Sequence, residues 1–140
     1  MRLATFLLAS AVALAGGLEA VKAEPNLEKR SEKALAYAGE VVTGMRASLD
    51  TSDFEKIQEQ LREFSAAVEL SLDSLKATGK NARKSPKYFK RAETKLRELQ
   101  RRLETLRQDM SVDDRPVLDG VTADLSKKID ALVEATLRGS

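Results

Sequence analysis

Five basic side chains gather where one strongly patterned helical stretch begins. They are Lys80, Arg83, Lys84, Lys87 and Arg91. Ser85 and Pro86, which lie among them, are typical of an N-cap and a first helical residue. The first turn of a helix offers free N–H groups and the positive end of the helix dipole, which favour a phosphate, sulfate or carboxylate. We therefore predict an anion-binding site here, with Tyr88 as a stacking face. The alternative is a capped helix whose cations are only solvated.

Other chemistry is restricted by two absences in the sequence. The 140 residues include no Cys and no His. The chain therefore lacks disulfides, thiol nucleophiles and thiolate metal sites, and also the commonest metal ligand and proton carrier near neutral pH. The Glu-x-x-His pairs of di-iron bundles cannot exist without His. We expect no catalytic residues, no metal and no cofactor. The enzymatic alternative is a helical enzyme that works without His or Cys, such as a secreted chorismate mutase acting by electrostatic stabilisation.

Charge is segregated along the chain although its total is small. From Lys80 to Arg107 there are eleven basic and three acidic residues, whereas 50–78 and 109–140 each carry seven acids against three and four bases. One hypothesis is that these acidic segments offset the basic one, since complementary charges beside an apolar seam select helix partners. The other is that cations face solvent and bind an anionic partner. These solvent-facing cations would form a basic stripe along the helix. They are Lys87, Lys90, Arg91, Arg97 and Arg101.

The stretch 85–110 places these basic residues on a single helix. Its apolar residues are separated by alternating steps of three and four positions. They are Phe89, Ala92, Leu96, Leu99, Leu103, Leu106 and Met110. This is a heptad pattern, which predicts a helix that buries one narrow stripe against its neighbours.

Three further stretches are amphipathic in the same way, and short connections separate them. The predicted helices cover about residues 25–49, 53–78, 86–110 and 114–137. Four such helices joined by short loops predict an all-α, antiparallel up-down-up-down four-helix bundle. In that order the third helix contacts the second and the fourth.

Local signals mark the starts of two of these helices. Ser52 begins a capping box with the glutamate three residues later, so we expect it to cap the second helix. For the fourth helix we prefer Asp113 as the N-cap with Pro116 in the first turn, because Pro is tolerated only where no N–H is needed. A capping box between Ser111 and Asp114 is the alternative.

Three glycines lie within or beside the predicted helices. Gly39 and Gly44 interrupt the first helix, where glycine weakens a helix unless packing requires it. We favour a face that lets a second helix approach closely, and the alternative is a kink or a ligand-sized gap. Gly79 is placed to end the second helix in a left-handed conformation.

The first 23 residues have the pattern of a secretory signal peptide. A positive start, Met1 and Arg2, precedes an apolar run that ends near Ala15, and small residues then offer cleavage sites. We place cleavage after Ala23, with cleavage after Ala20 as the alternative. The apolar run is shorter than the roughly 20 residues of a membrane span. We therefore expect an exported domain, 24–140, in the periplasm or secreted, without a transmembrane span.

One segment resembles known proteins. Residues 84–106, KSPKYFKRAETKLRELQRRLETL, are similar to a segment of small exported bacterial helical proteins of unknown function. The resemblance implies export and a helical fold, and it implies no activity. In general type the chain also resembles periplasmic chaperones of the Spy-like family, but their repeated Leu-Thr-x-x-Gln motif is missing.

These observations favour an exported, non-enzymatic helical protein that acts by binding or as a structural element. Its partner is either an unidentified protein or an anionic surface such as lipid headgroups or an acidic polymer, met by the basic third helix. A periplasmic chaperone or stress-type role is a further alternative. Nucleic acid is not an expected partner. If the apolar seams pair between chains, the protein is instead a helical homodimer.

Overall fold

The protein is all-helical over the part of the chain that its computed structural model describes, residues 17–139. Four long helices follow one another. They are α1 (Leu27–Asp50), α2 (Phe54–Ala77), α3 (Lys87–Gln108) and α4 (Pro116–Arg138). Residues 17–22 are also helical and precede α1. No β-strand occurs among the described residues.

The first two helices begin with capping side chains. The Asn26 side chain accepts a hydrogen bond from the backbone N–H of Lys29, and the Asp53 side chain accepts one from that of Lys56. Asp53, and not Ser52, therefore caps α2. Ser52 instead has a φ of +55° within the turn that precedes the helix. Such short polar side chains satisfy an N–H group that would otherwise lack a partner in the first turn.

The last two helices begin without a capping side chain. Pro86 takes the N-cap position of α3 and Arg115 that of α4, so neither Ser85 nor Asp113 acts as the predicted cap. Pro116 is the first residue of α4, as its missing N–H requires. In the preceding turn the Ser111 hydroxyl donates to the Asp114 carboxylate over 2.6 Å.

One continuous core joins all four helices. The heptad stripe of α3 is buried along its whole length, and its four central leucines are at most 1% exposed. The seven stripe residues are Phe89, Ala92, Leu96, Leu99, Leu103, Leu106 and Met110. The burial of all seven residues confirms the heptad prediction. Burial of apolar side chains is the main favourable term in folding, so this stripe holds α3 to its neighbours.

Helices α1 and α2 form the most extensive contact of the structure. Small side chains meet between them, and the hydroxyl groups of Ser31 and Ser71 are hydrogen-bonded over 2.8 Å. The Tyr37 hydroxyl donates to the Glu63 carboxylate over 2.7 Å. A side-chain carbon on Gly44 would lie only 3.0 Å from the Gln60 amide nitrogen. Gly44 thus permits a close approach, as the sequence suggested, and the two helices run in opposite directions.

Helix α3 lies mainly against α1 and α4 and touches α2 less. Its Arg91 pairs with Glu32 near the start of α1, and Asp109 at its end pairs with Arg46 near the end of α1. These two helices therefore run in the same direction. The expected contact of α3 with α4 is extensive, the expected contact with α2 is slight, and α1 covers more of α3 than α2 does.

The carboxylate of α2 that forms an ion pair with another helix contacts α4 and not α3. Glu69 pairs with Lys128 of α4 over 3.3 Å, so α2 and α4 are neighbours. Helix α4 also contacts α3, since Gln100 donates to Ser126 and Arg107 pairs with Asp119. The last two contacts run in opposite order along the two helices, as expected of an antiparallel pair.

The end of the predicted signal peptide belongs in part to the described structure. Residues 1–16 lie outside the described residues. Val21 is 8% exposed and belongs to the core, and a side-chain carbon on Gly17 would lie 2.5 Å from the Tyr37 ring. Among residues 17–23, the part of this end that the structure describes, cleavage after Ala23 would therefore remove one buried side chain. Within the described part of the chain, no helix has the length and hydropathy of a membrane span.

A substitution at Leu99 tests how much the buried heptad stripe of α3 contributes to the free energy of unfolding. Its side chain is 0% exposed and lies under Gly39 of α1. Leu99→Ala should lower the free energy of unfolding by about 2–5 kcal/mol, because the cavity left behind is only partly filled. Urea denaturation followed by circular dichroism measures the change.

Leu137 provides the matched control, since it is 67% exposed. Leu137→Ala should change the free energy of unfolding by less than about 0.5 kcal/mol. Equal effects of the two substitutions would contradict the position given to Leu99.

Because of Tyr37, we expect the free energy of unfolding to depend on pH in the alkaline range. Burial, and then the hydrogen bond to Glu63, raise the pKa of Tyr37 far above its usual value. The unfolded chain therefore loses this proton first, and the free energy of unfolding should fall as the pH rises above about 10. Tyr37→Phe should reduce this dependence relative to the native chain. Urea denaturation of both proteins at neutral and alkaline pH measures it, and equal pH dependence of the two would contradict the assignment.

Candidate functional site

The loop between α2 and α3 carries the first part of the basic cluster. Ala82 anchors this loop, being 0% exposed. The Asn81 side chain accepts hydrogen bonds from the backbone N–H groups of Arg83 and Lys84, at 2.9 and 3.2 Å. This local turn orders the backbone and leaves the Arg83 and Lys84 side chains exposed.

Two of the five predicted site residues are held by carboxylates of α1. Lys80 pairs with Glu28 over 3.1 Å, and Arg91 pairs with Glu32 over 3.3 Å. Both pairs are solvent-accessible, so each contributes little to stability. They nevertheless show that α1 supplies the counter-charges at this end of α3.

Lys87 and Arg91 both lie close to an aromatic ring, that of Tyr88. Each places its cationic group 5.3 Å from the centre of the Tyr88 ring. This distance is within the range of a cation–π contact. Tyr88 is half-buried, so its ring is a fixed contact for Lys87 and a second contact for Arg91, which is also paired with Glu32.

A groove runs between α1 and the first half of α3. Its volume is about 460 Å³, and Leu35, Ala36 and Ala92 contribute apolar lining. The basic residues Lys87, Lys90, Arg91 and Lys95 line it as well, together with Glu32 and Glu98. We call this feature the α1–α3 groove.

The groove unites only part of the predicted cluster. Lys87 and Arg91 line it, whereas Lys80, Arg83 and Lys84 do not. The groove therefore brings together two of the five predicted residues, while the other three lie on the loop that precedes α3. The anion site as predicted from the sequence remains a prediction.

The position of the groove follows from a close contact farther along the helices. At Gly39 a side-chain carbon would lie 3.3 Å from the Arg102 guanidinium and 3.8 Å from Leu99. Arg102 also donates to the Thr43 hydroxyl over 2.8 Å. A second groove of about 290 Å³, lined by Val42 and Arg46, lies beyond this contact. Side chains of α3 thus contact α1 at Gly39, and a groove lies on either side of this contact.

Charge along the groove is uneven. Glu32 and Glu98 pair with Arg91 and Lys95, over 3.3 Å in each case. Lys87 and Lys90 are exposed and have no carboxylate partner among residues 17–139. The surplus positive charge therefore lies at the end of the groove nearest the start of α3, where the helix dipole has the same sign.

The groove offers cations beside an aromatic ring, and cations of this kind attract an anion. Across the described residues, no group of acidic side chains gathers in a way that would hold a metal ion.

Sequence reasoning missed the wall that α1 contributes. Leu35 and Ala36 are far in sequence from the basic cluster, and only tertiary packing brings them to it. Lys95 was also missing from the predicted site, although its spacing offered a signal. Lys87, Arg91 and Lys95 are four residues apart, so they lie on one side of the helix.

Comparison of the chain with protein-family models, with curated proteins and with solved structures finds no match.

Proposed function

We propose that this chain is an exported, non-enzymatic helical protein that binds an anionic partner through the cations beside the α1–α3 groove. One observation carries the proposal. Lys87 and Lys90 are exposed and lack a carboxylate partner among the described residues, as do Arg83 and Lys84 of the loop before α3. Arg91, Lys95 and Arg97 each lie within 3.3 Å of a carboxylate.

The unpaired charge creates a local field of one sign. Surface potentials of this kind raise the concentration of an oppositely charged partner and speed its approach. The chain as a whole carries a formal charge of only +2, so the effect is local. An anionic polymer or ligand should therefore bind at this end of α3 rather than over the whole surface.

The proposed architecture is an up-down-up-down bundle in which parallel helices are also neighbours. The opposite course of α1 and α2, and of α3 and α4, supports alternating directions. Pairs Arg91–Glu32 and Lys128–Glu69 support the placement of α1 beside α3 and of α2 beside α4. This order brings the groove to a face that the loop before α3 borders.

Retention on an immobilised acidic polysaccharide tests the binding proposal. The protein should bind heparin resin and elute with salt, because its contacts are between exposed charges. The triple variant Lys87→Gln, Lys90→Gln, Arg91→Gln should elute at clearly lower salt.

A second triple variant controls for total charge. Lys29, Lys56 and Lys76 are exposed and do not line the groove. Their replacement by Gln should leave elution close to that of the native chain. Equal losses in both triple variants, or no retention of the native chain, would refute the proposed function.

Export is tested separately, by the mass of the processed chain. Expression of the full sequence in a Gram-negative host should give a periplasmic protein that begins at Glu24, since small residues precede that position. Intact mass spectrometry of the periplasmic fraction identifies the first residue. A chain that keeps Met1 and stays in the cytoplasm would refute export.

A further inference from the structure

The exposed side of α3 consists of polar residues, most of which are cations. None of the side chains exposed between Lys87 and Gln108 is apolar, and Glu104 is the one acid among them. The exposed cations are Lys87, Lys90, Arg91, Arg97 and Arg101. The positive charge at the start of α3 therefore continues along the helix beyond its first turns.

Four of these cations form one line along the helix, which we call the α3 line. They are separated by steps of three, seven and four positions, and they are Lys87, Lys90, Arg97 and Arg101. Such steps return a residue to the same side of a helix one or two turns farther along. The line is about 21 Å long, because an α-helix rises by about 1.5 Å per residue. Arg91 lies beside the line, on the side of α1, where it pairs with Glu32.

The α3 line is only one helix wide. Glu32 of α1 lies on one side of it, where its carboxylate pairs with Arg91 over 3.3 Å. Asp119 of α4 lies on the other side, in a groove that Arg101 also lines. Carboxylates thus border the positive charge on both sides.

This shape distinguishes between the kinds of anionic partner. A helix that lies on a bilayer buries an apolar face among the lipids, but the apolar stripe of α3 is buried in the protein core. A protein partner is held chiefly by apolar and aromatic anchors, which the exposed side of α3 does not offer. A flat anionic surface would also meet the bordering carboxylates. A single extended polymer avoids them, because it can follow the line lengthwise.

The spacing of the cations suits a polymer whose charges are separated from one another. Successive cations of the line are about 4.5, 10.5 and 6 Å apart along the helix axis, from the rise per residue. In an acidic polysaccharide a sugar ring separates successive sulfate or carboxylate groups, so its anions are also several ångströms apart. Thr94 is exposed in the longest gap of the line, between Lys90 and Arg97. Its hydroxyl group can bond to a sugar hydroxyl at this position.

We propose, resting on the proposed function, that the partner is a linear acidic polysaccharide that lies lengthwise on the α3 line. Its anionic groups pair with Lys87 and Lys90, where no carboxylate of the described chain competes for them. The polymer continues to Arg101, which is exposed and likewise has no carboxylate partner among residues 17–139. Between them it shares Arg97 with Glu93, which pairs with that arginine over 3.0 Å.

Size-defined heparin fragments test the lengthwise arrangement. A disaccharide is shorter than the α3 line, whereas an octasaccharide spans it. Isothermal titration calorimetry of the native chain at one ionic strength should show that the octasaccharide binds more than about fivefold more tightly, because its later contacts are intramolecular. A smaller ratio would overturn the proposal, since the longer fragment gains about fourfold merely from the number of positions at which it can bind.

Two matched double variants test the far half of the line. Arg97→Gln, Arg101→Gln removes one arginine that is paired within its helix and one that has no carboxylate partner in the described chain. Arg138→Gln, Arg62→Gln is the control, because Arg138 pairs with Glu134 over 2.7 Å and Arg62 is exposed and lacks such a partner among the described residues. The first variant should weaken octasaccharide binding about three- to tenfold, as expected for two exposed charge pairs, and the control should stay close to the native affinity. Equal affinities of the two folded variants would refute the line.

Anionic vesicles test the bilayer as the alternative partner. Vesicles of phosphatidylglycerol and phosphatidylcholine should leave the native chain in the supernatant after sedimentation, at the ionic strength used for the octasaccharide. Sedimentation of the protein with these vesicles would show that a flat anionic surface is sufficient, and it would overturn the proposal.

These outcomes also separate the polysaccharide from the broader function. If heparin retention falls in the triple variant at the start of α3 but the octasaccharide gains nothing over the disaccharide, the lengthwise arrangement fails and anion binding at the start of α3 stands. If heparin resin does not retain the native chain, both proposals fail.

Discussion

The structure depends on the burial of one narrow apolar stripe on α3. Between Lys87 and Gln108 this helix has few apolar residues outside its heptad positions, so it can be stabilised only along a single line. Two neighbours, α1 and α4, cover most of that line. All remaining positions face the sides or the solvent, and most of the charged residues of the helix are found there. The same constraint that buries the leucines therefore displays the cations.

Helix α1, unlike α3, is buried on more than one face, because it packs against both α2 and α3. Its buried residues extend over more than one face, since Ala34 and Ala38 pack in the core while Gly39 meets α3 and Ser31 meets α2. Small side chains allow α2 to approach closely, and the buried hydroxyl pair satisfies both of its members. A helix covered on two sides tolerates glycine, because packing offsets the loss of intrinsic helix propensity. This explains why Gly39 and Gly44 lie in α1.

The sequence predicted the existence of the helices and the buried face of α3 because both depend on spacing within one segment. It did not predict that α1, rather than α2, lies beside α3. A heptad pattern indicates that one stripe of a helix is buried, but it does not indicate which other helix covers that stripe. Net charge was a poor guide, because exposed ion pairs contribute only about 0.2–1 kcal/mol each. The predicted caps at Ser52 and Asp113 were wrong, because Asp53 takes the N-cap position of α2 and Arg115 that of α4.

The candidate site was predictable to the extent that it is local. The residues Lys87, Arg91 and Lys95 are spaced by four, so the helix itself aligns them, whereas the apolar wall of the groove comes from α1 and depends on tertiary packing. The contact at Gly39 lies between the two grooves, so it separates the space beside the start of α3 from the space farther along the helices. On one side the space adjoins the start of α3, where the loop has already concentrated basic residues. A groove with an apolar lining and a cationic end is thus a consequence of the close contact and of the seam together, and neither feature alone would produce it.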